Sequence, residues 1–107
     1  MDLEGFKKLI KDYNEDNITS DEPHVSIRCE ENNIKLDYLK RIILDENSNL
    51  IRIVKDRQKV YKLYCRLSRK KELKIVIDLL DHKNINIRTV KILTNKFRIK
   101  YLRKQRF

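Results

Sequence analysis

A chain of 107 residues with 26 Lys/Arg, 16 Asp/Glu, one Gly, one Pro and two Cys has room for one domain around one core, and its formal charge of +10 points towards polyanionic partners. With Gly5 as the sole glycine there is no phosphate-cradling Gly-rich loop, nucleophile elbow or dinucleotide fingerprint; Cys29 and Cys65 lack CxxC spacing and zinc-type neighbours, so neither cofactor nor metal is expected. No apolar run approaches the roughly 18 residues that cross a bilayer, and Met1 to Ile10 is too acidic and broken for a signal peptide, so the expectation is a cytoplasmic protein without a membrane partner.

Taken in chain order, Asp2 caps a predicted helix over residues 2–14 whose apolar face is Leu3, Phe6, Leu9, Ile10 and Tyr13. Asn14 to Ser20 reads as a polar connection that leads into a second helix with Pro23 in its first turn. Residues 23–33 carry two patterns: Val25, Ile27 and Cys29 alternate like a strand, while His24, Ile27, Arg28 and Glu31 line one side of a helix, which is the reading preferred. A clearer helix spans residues 34–44, with Leu36, Leu39, Ile42 and Ile43 as its stripe, Asp37 in its first turn, and Lys40 and Arg41 towards its end.

From Leu50 the period changes to two. LIRIVK (residues 50–55) is the first predicted strand; three more lie within Lys59–Leu93, where Tyr61, Leu63, Cys65 and Leu67, then Leu73, Ile75, Ile77 and Leu79, then Ile85 and Ile87 alternate with polar residues. Ser68–Lys71 and Asp81–Asn84 are the predicted hairpin connections. The expected fold is therefore α+β, with N-terminal helices packed on a four-stranded, mostly antiparallel sheet and a basic C-terminal tail that is either helical or extended. On strand parity, Leu63, Ile75, Ile77 and Ile87 hold the helices, and Lys62, Arg66, Lys74 and Arg88 share the opposite face.

Charge divides with the predicted structure. Residues 1–49 hold seven cationic and twelve anionic side chains, a net of −5, whereas residues 50–107 hold nineteen and four, a net of +15. The strands and tail thus carry the field of a polyanion-binding surface, set against the plainer alternative that Arg66, Arg88 and Lys91 are a solvated sheet face. The cations facing such a polyanion are Lys62, Lys74 and Lys91 on the strands and Lys96, Lys100, Arg103 and Lys104 in the tail. Tyr61 reads as core, His24 as a helix surface or packing residue, and Asp78 as the partner of an arginine on a neighbouring strand.

His24 and Arg28 four residues apart, the Glu31–Ile34 junction, a Tyr61-bearing strand, the apolar Leu73–Ile77 run and a closing Ile87-Arg88-Thr89-Val90 together resemble small domains related to the RelE/ParE/BrnT-type toxin superfamily. The resemblance covers about residues 22–95, which makes the chain one RelE-like domain with a helical extension over 1–21 and a basic tail over 96–107. At the junction the family usually has Arg-Gly; this chain has Asn32-Asn33, and Asn tolerates the left-handed backbone that Gly supplies. The resemblance implies a toxin of a toxin–antitoxin pair that binds RNA or the ribosome, pairs with an acidic antitoxin and cleaves messenger RNA without metal. Such cleavage needs a group that takes the 2′-hydroxyl proton and cations around the pentacoordinate phosphate. Arg66, Arg88, Arg98 and Tyr101 are the catalytic candidates, with Arg98 and Tyr101 the nearest match to the Arg and Tyr that close the RelE pattern. The alternative is a noncatalytic nucleic-acid-binding or adaptor domain of the same fold.

Overall fold

The carboxylate of Asp2 starts the first helix, accepting the Gly5 N–H at 2.8 Å and framing α1, Leu3–Leu9. The computed structural model describes residues 1–45 and 47–94. α1 stops five residues short of the expected Asn14, but Phe6 and Ile10 are still buried, so the apolar stripe docks as its spacing requires. Beyond it, Asn14 caps a 3₁₀ turn over Glu15–Asn17: its side chain accepts the Asp16 N–H at 2.9 Å, and the Asn17 side chain accepts the Asn14 N–H at 2.7 Å. That turn delivers the chain into β1, Ile18–Ser20.

Residues 23–33 resolve as helix, α2 spanning His24–Glu31 with Val25 and Cys29 buried. Pro23 sits at the N-cap rather than inside the first turn. Glu22 secures this corner by accepting from Ser20 Oγ at 2.8 Å and from the Ser26 N–H at 3.3 Å, with a further bond from Ser26 Oγ. These hydroxyl donors, Ser26 before Ser20, hold its carboxyl below the usual range. α2 closes in a Schellman arrangement: Asn33 takes φ of 54°, its N–H reaches the Glu30 carbonyl at 3.1 Å, and the Ile34 N–H reaches the Cys29 carbonyl at 2.8 Å. Asn33 thus fills the left-handed position expected of that junction. α3 follows over Leu36–Leu44, burying Leu39, Ile42 and Ile43.

Four strands come next: β2 Leu50–Arg57, β3 Val60–Ser68, β4 Lys71–Leu80 and β5 Asn84–Thr94, each antiparallel to its predecessor. The expected four-stranded, mostly antiparallel sheet is corrected here, because β1 adds a fifth strand parallel to β5, with Ile18 opposite Ile85 and Ser20 opposite Ile87. The sheet is mixed, in the order β1-β5-β4-β3-β2, and the α+β class is unchanged. A three-residue strand has one apolar position, Ile18, and so no period to read; its strand identity comes from the partner it meets across the fold. Among the described residues no helix is long and apolar enough to cross a membrane.

The sheet has one dry face. Leu63, Cys65, Leu73, Ile75, Ile77, Ile85, Ile87 and Val90 are buried beneath Phe6, Ile10, Val25, Leu39, Ile42 and Ile43 from the helices, with Tyr61 packed at the margin of this cluster. Burial pushes the Cys29 and Cys65 thiols up, and both are free, as suits small core residues.

Three hairpins are built without glycine. Lys59 has φ of 65°, and His82 and Lys83 have φ of 61° and 57°, the pair of left-handed residues that a primed turn needs. A side chain there costs about 1 kcal/mol that glycine avoids, partly offset by glycine's greater unfolded-state entropy. Lys83→Gly is accordingly expected to raise the unfolding free energy by about 0.5 kcal/mol, and Lys83→Val to lower it by about 1 kcal/mol, in urea denaturation.

Candidate nucleic-acid interface

The opposite face of the sheet is set by the same alternation, with one break. On β5, Ile85 and Ile87 point to the core, but the next core residues are Val90 and Ile92, so the spacing passes from two to three. The register records this as a bulge: Val76 lies opposite Thr89, whereas Ile77 lies opposite Ile87, leaving Arg88 as the extra residue. Lys91 shares the parity of Ile85 and Ile87, and an unbroken strand would turn it into the core. The bulge instead places it opposite Lys74 on the outer face.

The outer face can be followed across the strands in rows. One row runs Lys91, Lys74, Tyr64, Arg52; the next runs Thr89, Val76, Lys62, Val54. Lys62, Lys74 and Lys91 therefore meet at the middle of the sheet, Lys74 directly between β3 and β5. The Lys74 ammonium is pushed below its ordinary range, first by burial and then by Lys62 and Lys91, with Asp56 acting in the opposite sense. Asp56 lies 3.8 Å from Lys62. Arg52 lies over the Tyr64 ring, its guanidinium carbon 4.1 Å from the centroid, which extends the cationic row to the sheet edge. The sequence expectation omitted Arg52 and Tyr64 from the site; their even spacing within LIRIVK and KVYKLY was the available signal.

The two catalytic candidates on the strands are not brought together. Arg66 is exposed near the end of β3, opposite the buried Glu72. Arg88 stands in the bulge, with Nη1 3.7 Å from Asp78, the neighbouring-strand pairing expected of that acid. Arg66 stands opposite Glu72 and Arg88 beside Val76–Ile77 on β4, about 15 Å along the strand at ~3.3 Å per residue, and Arg88 is drawn further away to Asp78, so they do not address one phosphate. Arg98 and Tyr101, and with them Lys96, Lys100, Arg103 and Lys104, lie outside the described residues.

A polar cluster surrounds the bulge. Asn86 donates to Asp21 at 2.8 Å and to Asp78 at 3.3 Å, Thr19 Oγ1 lies 2.9 Å from Asn86 Oδ1, and His24 Nε2 is 3.1 Å from Thr89 Oγ1. These bonds stitch β1 and α2 to the β4–β5 pair and fix the bulge that orients Lys91. His24 is thus an exposed residue on the surface of α2, bonded across this corner to Thr89. Among the described residues no group of three or more His, Cys, Asp or Glu side chains could hold a metal ion. Comparison with family models, with curated proteins and with solved structures finds no match to this chain.

Proposed function

We propose that the protein binds nucleic acid, single-stranded RNA in particular, through the outer face of its sheet, acting in the cytoplasm. The observation that carries this is the convergence of Lys62, Lys74 and Lys91 on three adjacent strands, where burial first, and then Lys62 and Lys91, disfavour the Lys74 ammonium. Like charges set opposite one another destabilise a sheet, and a polyphosphate backbone crossing them offsets that cost. The row from Lys91 to Arg52 runs across the strands and offers cations along a backbone-sized track, with the Arg52–Tyr64 pair at its end.

Fluorescence anisotropy of a labelled 12-nucleotide oligouridylate, titrated at several salt concentrations, tests the proposal. Three neutralised phosphates give a log–log slope of about −2, at ~0.7 per phosphate on a single strand. Affinity that does not change with salt, or no binding at low salt, overturns it.

A second reading is the RelE-like toxin, with an acidic antitoxin and cleavage of messenger RNA on the ribosome. Arg88 favours it: the Asp78 carboxylate positions an arginine at a bulge beside the lysine cluster, a location fit for neutralising a phosphate in transition. Induced expression of the parent chain and of Arg88→Ala separates the readings. Translation arrest with broken transcripts, lost in the variant, supports cleavage; intact transcripts in the parent leave binding as the function.

A further inference from the structure

At the far end of the sheet from β1, β2 forms an edge of eight residues, and among the described residues no further strand pairs with it. In an antiparallel pair alternate residues turn their N–H and C=O groups away from the partner, so about half of the β2 backbone faces outwards with its donors and acceptors unclaimed by the sheet. The side chains along it are also accessible: Ile51 and Val54 are 41% and 40% exposed, and Arg52, Lys55 and Arg57 are exposed. Against these three cations the strand sets one acid, Asp56.

That charge pattern selects the occupant. A second copy would bring together two strands that each carry three cations against one acid, and that net like charge opposes edge-to-edge pairing. The chain's own tail is excluded on the same ground, since Lys96, Arg98, Lys100, Arg103, Lys104 and Arg106 give it the sign of β2. Bulges near Ile51 and Asp56 interrupt the register at both ends of the strand, which leaves a short central segment around Arg52–Lys55 as the template.

We propose that β2 is a docking edge for an extended acidic segment of a partner polypeptide, which adds to the sheet as a sixth strand. Main-chain bonds supply the attachment; because Arg52 and Val54 lie on the outer face and Ile53 and Lys55 on the other, two acidic side chains of the segment, three residues apart, meet Arg52 and Lys55, and the two apolar side chains between them lie beside Ile53 and Val54. This site shares Arg52 with the end of the outer-face row but none of Lys62, Lys74 and Lys91, and it does not depend on the nucleic-acid reading.

The probe is a blocked, fluorescein-labelled peptide of three Glu-Val-Val-Glu repeats, twelve residues long, which sets one Glu and one Val of each repeat on either face, with a second peptide of equal charge in which Pro replaces every Val. Proline cannot donate to a ladder, so the second peptide retains the charge and loses the strand. The full chain is expected to bind the Glu/Val peptide at least tenfold more tightly than the Glu/Pro peptide, with amide shift changes on β2. The double variant Arg52→Glu/Lys55→Glu is expected to lose that preference and to favour a Lys/Val peptide. The Lys74→Ala/Lys91→Ala variant keeps the peptide and loses RNA, so the two sites fail separately. Equal binding of the Glu/Val and Glu/Pro peptides overturns the proposal, as do shift changes confined to other strands. A concentration-dependent dimer in sedimentation, abolished by the double variant, also overturns it and assigns the edge to a second copy. Circular dichroism matching the parent establishes that the variants are folded.

Discussion

The variant Lys62→Ala/Lys74→Ala/Lys91→Ala is expected to bind single-stranded RNA on the order of 100-fold more weakly than the parent at 0.1 M salt, while being the more stable protein. The first half follows from counterion release: with an exponent of ~0.7 for each phosphate, one contact at 0.1 M salt is worth about fivefold, and three compound to about 100-fold, or roughly 2.8 kcal/mol. The second half follows from register. Lys74 faces Lys91 directly and Lys62 on the diagonal, and opposed like charges cost about 0.2–1 kcal/mol per pair. Removing them should move the urea midpoint upwards without changing the slope, less what their buried methylenes contributed to packing.

The pH dependence has a definite sign. The Lys74 ammonium is depressed in the folded state relative to its ordinary value of 10.5, so between the two values the unfolded chain binds more protons. Parent stability therefore gains from this group as pH rises through the folded value towards 10.5, and the triple variant lacks that gain. A triple variant less stable than the parent at pH 7, with parent-like RNA affinity, would remove the basis for a binding face.

The second large effect is one residue away and opposite in sign. Ile75→Ala is expected to lower the unfolding free energy by about 2–5 kcal/mol, a large share of the roughly 5–15 kcal/mol available to a small domain. Ile75 is 0% exposed at the centre of β4, between Leu63 on β3 and Val90 on β5, both in the buried cluster under the helices. Truncation there leaves a cavity bordered by two strands that hydrogen bonds hold at fixed spacing, so the site cannot collapse to fill it. Ile75→Val should cost only about 0.5–1.5 kcal/mol. Urea denaturation of Ile75→Ala beside Lys74→Ala reads both signs from adjacent positions, a direct consequence of the two-residue period.

That period is also why so much of the fold was legible. Tyr61 to Leu67 and Leu73 to Leu79 each repeat the apolar position four times, enough to specify strand, face and neighbour, and Leu39, Ile42 and Ile43 do the same for a helix. β1 escaped because Ile18 is a single apolar residue among polar ones, and a parallel partner 67 positions along the chain leaves no local trace. The early end of α1 and the position of Pro23 outside α2 are boundary effects, where capping bonds from Asn14 and Glu22 outweigh apolar spacing.

For the site, parity correctly grouped Lys62 and Lys74, but simple alternation carried on from Ile87 sends Lys91 inwards. The three-residue gap from Ile87 to Val90 was the visible mark of the bulge, and reading it would have predicted both Lys91's face and Arg88's position. No such mark separates Arg66 from Arg88: both sit on the outer face by parity, and only strand length and register reveal the distance between them. Arg52 and Tyr64 became a pair because β2 and β3 align them as cross-strand neighbours, a relation fixed by the bulge near Ile51 rather than by either residue's surroundings in sequence.

The most direct test of the account is to map the surface that RNA touches. Titration of the ¹⁵N-labelled protein with a 12-nucleotide oligouridylate at low salt should shift the amides around Lys62, Lys74 and Lys91, together with Tyr64 and Arg52, and leave those of α1 and α3 in place. Shifts concentrated on the helices, with the outer face of β3, β4 and β5 unmoved, would contradict it.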